Sequence, residues 1–226
     1  MRSIRWRNGY GTSSVKGMNE HVTNGASGLG GRLPLLSPDA LDEEQRAVHA
    51  RLQVTRLRSA EGAGYTAALS DGRLIGPFNV MLRHPRIARP LLEWAQAIAG
   101  SGIPADVREV VILTVAARWR AEYALYAHTA GAERAGVPET AITALRHGDT
   151  PRDLRPEADI AHRVAGALVR DHQVSDELYA EAVAVFGAEG LVALVNLIGQ
   201  YLTTCALLAC FQVPAPARHR TAAPTA

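Results

Sequence analysis

Apolar residues recur along this chain mainly at helical spacing, with strand-like alternation nearly absent. LDEEQRAVHARLQVTRLR follows Ser37-Pro38-Asp39, where Ser37 reads as an N-cap, Pro38 as a first-turn residue and the acids as partners of the helix dipole. Glu61 to Gly76 reads as a glycine-rich loop. A helix over IARPLLEWAQAIAG begins near Pro85 and ends near Gly100-Ser101-Gly102. Pro104 and Asp106 open a central helix that is apolar almost all round. A break at Arg118-Trp119-Arg120 separates it from the next. Gly136-Val137-Pro138 leads into a short helix, and EADIAHRVAGALVRDHQ forms another. Ser175-Asp176 opens DELYAEAVAVF, Glu189 opens the last helix, and Pro214 and Pro216 stop it. The expectation is an all-α chain of about seven or eight helices.

The first 33 residues differ. They are rich in Gly, Ser, Asn and Thr without an apolar period, and read as a disordered tail. The predicted organisation is a tail over 1–33, one helical domain over 34–216 and a short tail over 217–226.

Val192 to Phe211 is uncharged and long enough in principle to span a bilayer. Yet it carries Asn196, Gln200, Thr203 and Thr204 and has weak flanking signals. Burial in a core or a subunit interface is the expectation, with no membrane partner. The net charge of +2 gives no footprint for nucleic acid. Cys205 and Cys210 support neither a zinc site nor a disulfide scaffold. Two buried thiols fit a reducing cytoplasm, and no apolar secretory core is evident near the N-terminus.

Three groups on the central hairpin could carry chemistry. Glu109 sits near the start of the apolar helix and is either a partly buried carboxylate or an exposed acid complementing the helix dipole. His128 shares a small apolar face with Ala121, Ala124, Leu125, Gly131, Ala132 and Ala135, which leaves room for a substrate or simply permits close packing. An antiparallel hairpin would bring Glu109 against His128, and a carboxylate holding an imidazole suits general acid–base work. Glu122 is about 120° from His128 on an ideal helix, so it is a second acid–base candidate only if the helix start is irregular. Its other reading is a first-turn acid stabilising its own helix.

These residues, in this order, resemble the carboxymuconolactone decarboxylase family, which shares its helical fold with the alkyl hydroperoxidase D type proteins. Arg108-Glu109 opens an apolar helix, and Glu122-Tyr123 precedes His128 by six and five residues. Gly76-Pro77-Phe78-Asn79 upstream and Gly199-Gln200-Tyr201 downstream extend the likeness to roughly Leu33–Pro216. The resemblance implies cofactor-free decarboxylation of a small carboxylated lactone or related carbonyl compound. His128 would be the acid–base residue, Glu109 its orienting partner and Glu122 a second candidate. Asn79, Arg83, Arg118, Arg120 and Tyr126 would bind substrate. The resemblance further implies a homo-oligomer, a trimer or a multiple of trimers.

Two departures accompany it. The peroxidase branch carries a Cys-x-x-Cys pair where this chain has Ala121 and Ala124, so the attacking and resolving thiols of thiol–disulfide chemistry are missing there. Ala124-Leu125 also stands where decarboxylases often show Glu-Trp. These changes leave a second reading, a non-catalytic oligomerisation or ligand-binding module, which expects His128 packed away from solvent with no adjoining cavity.

Overall fold

The computed structural model describes residues 27–217. Nine α-helices are found among them: α1 (Glu43–Leu52), α2 (Arg58–Ala63), α3 (Pro77–Met81), α4 (Pro85–Ala99), α5 (Ala105–Trp119), α6 (Glu122–Arg134), α7 (Glu139–His147), α8 (Pro156–Arg170) and α9 (Asp176–Cys210). No strand occurs among the described residues beyond an isolated bridge between Ala68 and Leu74. The all-α expectation holds.

The central helix owes its position to its composition. Val107, Val110, Val111, Ile112, Leu113, Val115 and Ala116 are all buried, so α5 presents apolar surface on nearly every side. It packs against α6, α7, α8 and α9. A second cluster, including Val48, Leu52, Phe78, Leu82 and Leu92, joins α1 to α3 and α4.

α5 ends in a Schellman motif. Arg120 takes a left-handed conformation (φ 50°), its N–H bonds Ala117 O at 3.0 Å, and Ala121 N–H bonds Ala116 O at 3.0 Å. This turn folds α6 back onto α5. It is also what Arg120 does: with Arg118 it lies exposed at the far end of α5, away from the substrate role expected of both.

Several local expectations are corrected. The cap of α1 is Asp42, not Ser37. Its carboxylate accepts from Gln45 N–H at 2.8 Å while the Gln45 side chain accepts from Asp42 N–H at 3.0 Å, a complete capping box. Ser37 precedes only a 3-10 turn over Pro38–Ala40 and makes no side-chain cap bond. Among the described residues the first element is a 3-10 turn over Ser27–Gly30, and Arg32 N–H bonds Phe211 O at 2.7 Å, so residues 27–33 pack against the end of α9. The rest of the expected tail, residues 1–26, lies outside the described residues, as do 218–226. The expected loop over 61–76 is shortened by α2, which runs on from α1 through a π-helical segment over Gln53–Leu57.

The predicted break before the last helix is present. Gly187 (φ 66°, ψ 174°) interrupts α9, dividing it into the two helices expected from Ser175 and Glu189. By length and composition α9 could cross a bilayer. One side of it packs on α5 and α8, with Leu194, Leu197, Ile198, Cys205 and Leu208 buried. Of the two thiols, Cys205 is buried and Cys210 exposed, which corrects the expectation of two buried cysteines.

Candidate functional site

The α5–α6 hairpin places Glu109 beside His128. Glu109 is buried, 8% exposed, which decides against a solvated first-turn acid. His128 Nδ1 lies 2.7 Å from Glu109 Oε2. Space for the carboxylate comes from Gly131 on α6: a Cβ there would sit 2.8 Å from Oε2. Arg108 approaches the other carboxylate oxygen at 3.6 Å.

Burial alone would raise the Glu109 carboxyl pKa. The His128 imidazole, by charge and by hydrogen bond, and Arg108 together outweigh it, so the carboxyl is held below its ordinary value. A carboxylate can only accept, so His128 Nδ1 carries the proton of that bond.

The other face of the imidazole is also engaged. Tyr201 Oη lies 2.9 Å from His128 Nε2, and the rings meet edge to face at 5.0 Å. Burial, helped by the Glu109 charge, pushes the Tyr201 hydroxyl well above its ordinary value, so it stays a donor. With neutral His128, Tyr201 donates to Nε2. Glu109, His128 and Tyr201 thus form one continuous chain of hydrogen bonds.

This chain borders a cavity of about 710 Å³. Glu109, His128 and Tyr201 line it together with Arg56, Arg58, Arg108 and Arg134. Its apolar lining includes Leu91, Leu92, Ala95 and Ile98 of α4 and Leu197 and Leu208 of α9. α4 is held to α9 by Trp94 Nε1 donating to Asn196 Oδ1 at 3.1 Å.

The remaining predicted residues lie elsewhere. Glu122 occupies the first position of α6, exposed and outside the cavity lining. Exposed and off the cavity wall, Glu122 is not brought together with the Glu109–His128 pair. Asn79 is buried but spoken for. Its Oδ1 accepts from Leu36 N–H at 3.1 Å and its amide donates to Pro34 O at 3.4 Å, tying the N-terminal strap to α3. Arg83 donates to the same Pro34 carbonyl and does not line the cavity.

Tyr126 does not line the cavity either. Its Oη accepts from Thr66 N–H at 2.9 Å, and Tyr123 donates to Thr66 O at 2.9 Å. The two tyrosines therefore clamp the segment after α2 onto α6. That clamp places Tyr65, which packs edge to face on Tyr126 and lines the cavity. Burial pushes the Tyr65 hydroxyl up to about 12.

Sequence reasoning missed Tyr201 as a site residue, and the cavity arginines Arg56, Arg58 and Arg134. A signal existed for two of them. Val48 and Leu52 are buried, and Arg56 follows at i+4, where the apolar stripe of α1 would continue. Likewise Tyr201 interrupts the buried stripe Leu194–Leu197–Ile198–Cys205–Leu208, where a hydroxyl needs a partner.

The Glu109 pairing predicts a pH signature. Because its folded pKa is depressed, its stabilisation is fully present above the unfolded carboxyl value, near ~4.3, and is lost as pH falls through the lower folded value. Urea unfolding of wild type and Glu109→Gln is expected to show the wild type more stable at neutral pH, the gap closing below about pH 4. A gap that widens on acidification would contradict this.

Residues 85–165 match the model of the carboxymuconolactone decarboxylase family, so the resemblance read from the sequence is shown over that stretch. It runs from the start of α4 into α8 and contains Glu109 and His128, but neither Arg56 nor Tyr201. No curated protein matches the chain. Among solved structures, an alkylhydroperoxidase AhpD core, an uncharacterized peroxidase-related protein from Ralstonia eutropha JMP134, superposes with a TM-score of 0.65 at 14% identity. The match covers 83% of this chain and 93% of that one. A variant of the debrominase Bmp8 in complex with 2,3,4-tribromopyrrole superposes with a TM-score of 0.60 at 15% identity, covering 76% and 89%. At these identities the likeness shows the fold, which is the alkyl hydroperoxidase D type expected.

Proposed function

We propose that this chain is a cofactor-independent enzyme of the carboxymuconolactone decarboxylase type. It would perform decarboxylation or a related proton transfer on a carboxylated lactone or similar carbonyl compound. The observation that carries this reading is the Glu109–His128–Tyr201 hydrogen-bond chain on the wall of a cavity. A binding module was expected to pack His128 away with no adjoining cavity, and the cavity beside His128 favours the enzyme.

The chemistry follows from the donors. In decarboxylation the C–C bond to the carboxylate breaks, its electron pair enters a conjugated carbonyl, and CO2 leaves. The resulting enolate then takes a proton at carbon. When His128 is cationic, Nδ1–H is held by Glu109 and Nε2–H turns to Tyr201 Oη, which frees the Tyr201 O–H to point into the cavity. Tyr201 gives its proton to carbon, Nε2 replaces it, and solvent restores Nε2. Glu109 fixes the ring and offsets the imidazolium charge. Cavity arginines hold the anionic substrate and stabilise the developing oxyanion. The reading is tested by screening carboxylated lactones, 4-carboxymuconolactone first, against their non-carboxylated counterparts for CO2 release. Release confined to the carboxylated set supports it. Turnover of the non-carboxylated set alone replaces decarboxylation with another proton transfer.

We further propose that the chain works as a homo-oligomer, a trimer or multiple of trimers, in the cytoplasm. Tyr179, Val185, Val192 and Val195 are exposed large apolar residues on α9, Val192 by 63%. Tyr179, Val192 and Val195 line an apolar groove of about 360 Å³ with Leu168 and Leu191. Light scattering is expected to give three or a multiple of three times 24.2 kDa. Val192→Asp is expected to lower that mass, and a wild-type monomer at micromolar concentration would contradict the assignment.

A further inference from the structure

The cavity is larger and more basic than a small lactone requires. A monocyclic lactone with its substituents occupies on the order of 200 Å³, the space of six or seven waters at ~30 Å³ each. The cavity holds about 710 Å³, a size that suits a ligand with an extended body. Its lining has two characters. α4 and α9 supply Leu91, Leu92, Ala95, Ile98, Leu197 and Leu208. The segment from Gln53 to Ala63, with α5 and α6, supplies Arg56, Arg58, Arg108 and Arg134 against the single carboxylate of Glu109.

The arginines are not equivalent. Arg108 is committed to Glu109 at 3.6 Å, and Arg134 donates to Gly62 O. Arg58 is exposed. Arg56 is half-buried, and no hydrogen bond or ion pair to it is found among the described residues. It sits in the π-helical segment Gln53–Leu57. The wider turn of a π-helix shifts side-chain register, and such segments frequently mark functional sites. The Arg56 charge acts on both Tyr65 and Tyr201, which places the guanidinium within electrostatic reach of the proton-transfer chain. A guanidinium that is partly desolvated and uncommitted is suited to take a carboxylate in a two-pronged grip.

We propose that the cavity takes a carboxylate bearing an apolar body larger than a monocyclic lactone. Arg56 anchors the carboxylate, and the α4–α9 wall receives the body. This assignment rests on reading the cavity as the reaction site, and it names the substrate class and the residue that selects it.

The test uses unreactive probes and the full chain. Calorimetric titration compares 2-naphthoate, its neutral counterpart 2-naphthamide, and acetate. Wild type is expected to bind 2-naphthoate about tenfold or more tighter than either of the others. Arg56→Gln is expected to bring 2-naphthoate down to the level of 2-naphthamide, whose own affinity is unchanged. Arg56 makes no hydrogen bond or ion pair among the described residues, so the variant is expected to keep its thermal midpoint. Leu91→Trp, which fills the apolar part, is expected to weaken both naphthyl probes and spare acetate. Arg118→Gln, outside the cavity, leaves every affinity unchanged. Three results would overturn the assignment. They are absence of 2-naphthoate binding to wild type, acetate binding as tightly as 2-naphthoate, or a carboxylate preference that survives Arg56→Gln. None of the probes reacts, so these outcomes are independent of whether the enzyme releases CO2.

Discussion

His128→Ala lowers kcat by about 10²–10⁴-fold on any substrate the wild type turns over, with KM changed far less. The magnitude is that of a lost general acid–base. Both imidazole nitrogens are committed, Nδ1 to Glu109 and Nε2 to Tyr201, so removing the ring breaks the proton path at its centre. It also leaves the buried Glu109 carboxylate with Arg108 alone, at 3.6 Å. A buried charge stripped of its partner costs stability, so the variant must be compared at a temperature where both proteins are folded. Stopped or progress-curve kinetics check the prediction, with circular dichroism as the folding control. A variant within threefold of wild type would mean that the imidazole is structural.

The second large effect is on stability. Gly76 precedes α3 with φ 64° and ψ −148°, a conformation that L side chains rarely adopt. A Cβ there would lie 2.3 Å from the Tyr123 ring, whose hydroxyl is tied to Thr66. Gly76→Ala therefore combines backbone strain of about 1–3 kcal/mol with overpacking of about 1–3 kcal/mol. The expected loss is about 4 kcal/mol in urea unfolding, with a thermal midpoint lower by roughly 8–16 °C. Gly187→Ala is the matched control. It sits in the same backbone region (φ 66°, ψ 174°) but has nothing within 4 Å of its Cβ, so it carries the strain alone. Equal losses in the two variants would show that the Tyr123 contact is soft.

The helices were legible because α4, α7 and α8 carry one-sided apolar patterns and sharp boundary residues. α5 was legible for the opposite reason, an unbroken apolar run that belongs in a centre. The Glu109–His128 contact was legible because one turn at Arg118–Arg120 joins two adjacent helices, so local spacing determines the pairing. Tyr201 was not, since it lies 73 positions from His128. Arg56 continues the spacing of Val48 and Leu52, but the π-turn that carries it to the same cavity leaves no periodic signal of its own. Proximity to the signature points to Arg83, Arg118 and Arg120 as the substrate-binding arginines. Each instead lies outside the cavity lining. Ser37-Pro38 reads as an earlier helix start and masks Asp42 as the cap, although Asp42 and Gln45 carry the capping-box spacing.

The measurement that bears most directly on the central claim is CO2 release from 4-carboxymuconolactone and larger carboxylated lactones. Wild type would be assayed beside His128→Ala and Glu109→Gln, with folding verified for each. The account predicts turnover by wild type and its loss in both variants. Wild-type turnover that survives both substitutions would contradict it, because the reaction would then run without the Glu109–His128–Tyr201 chain.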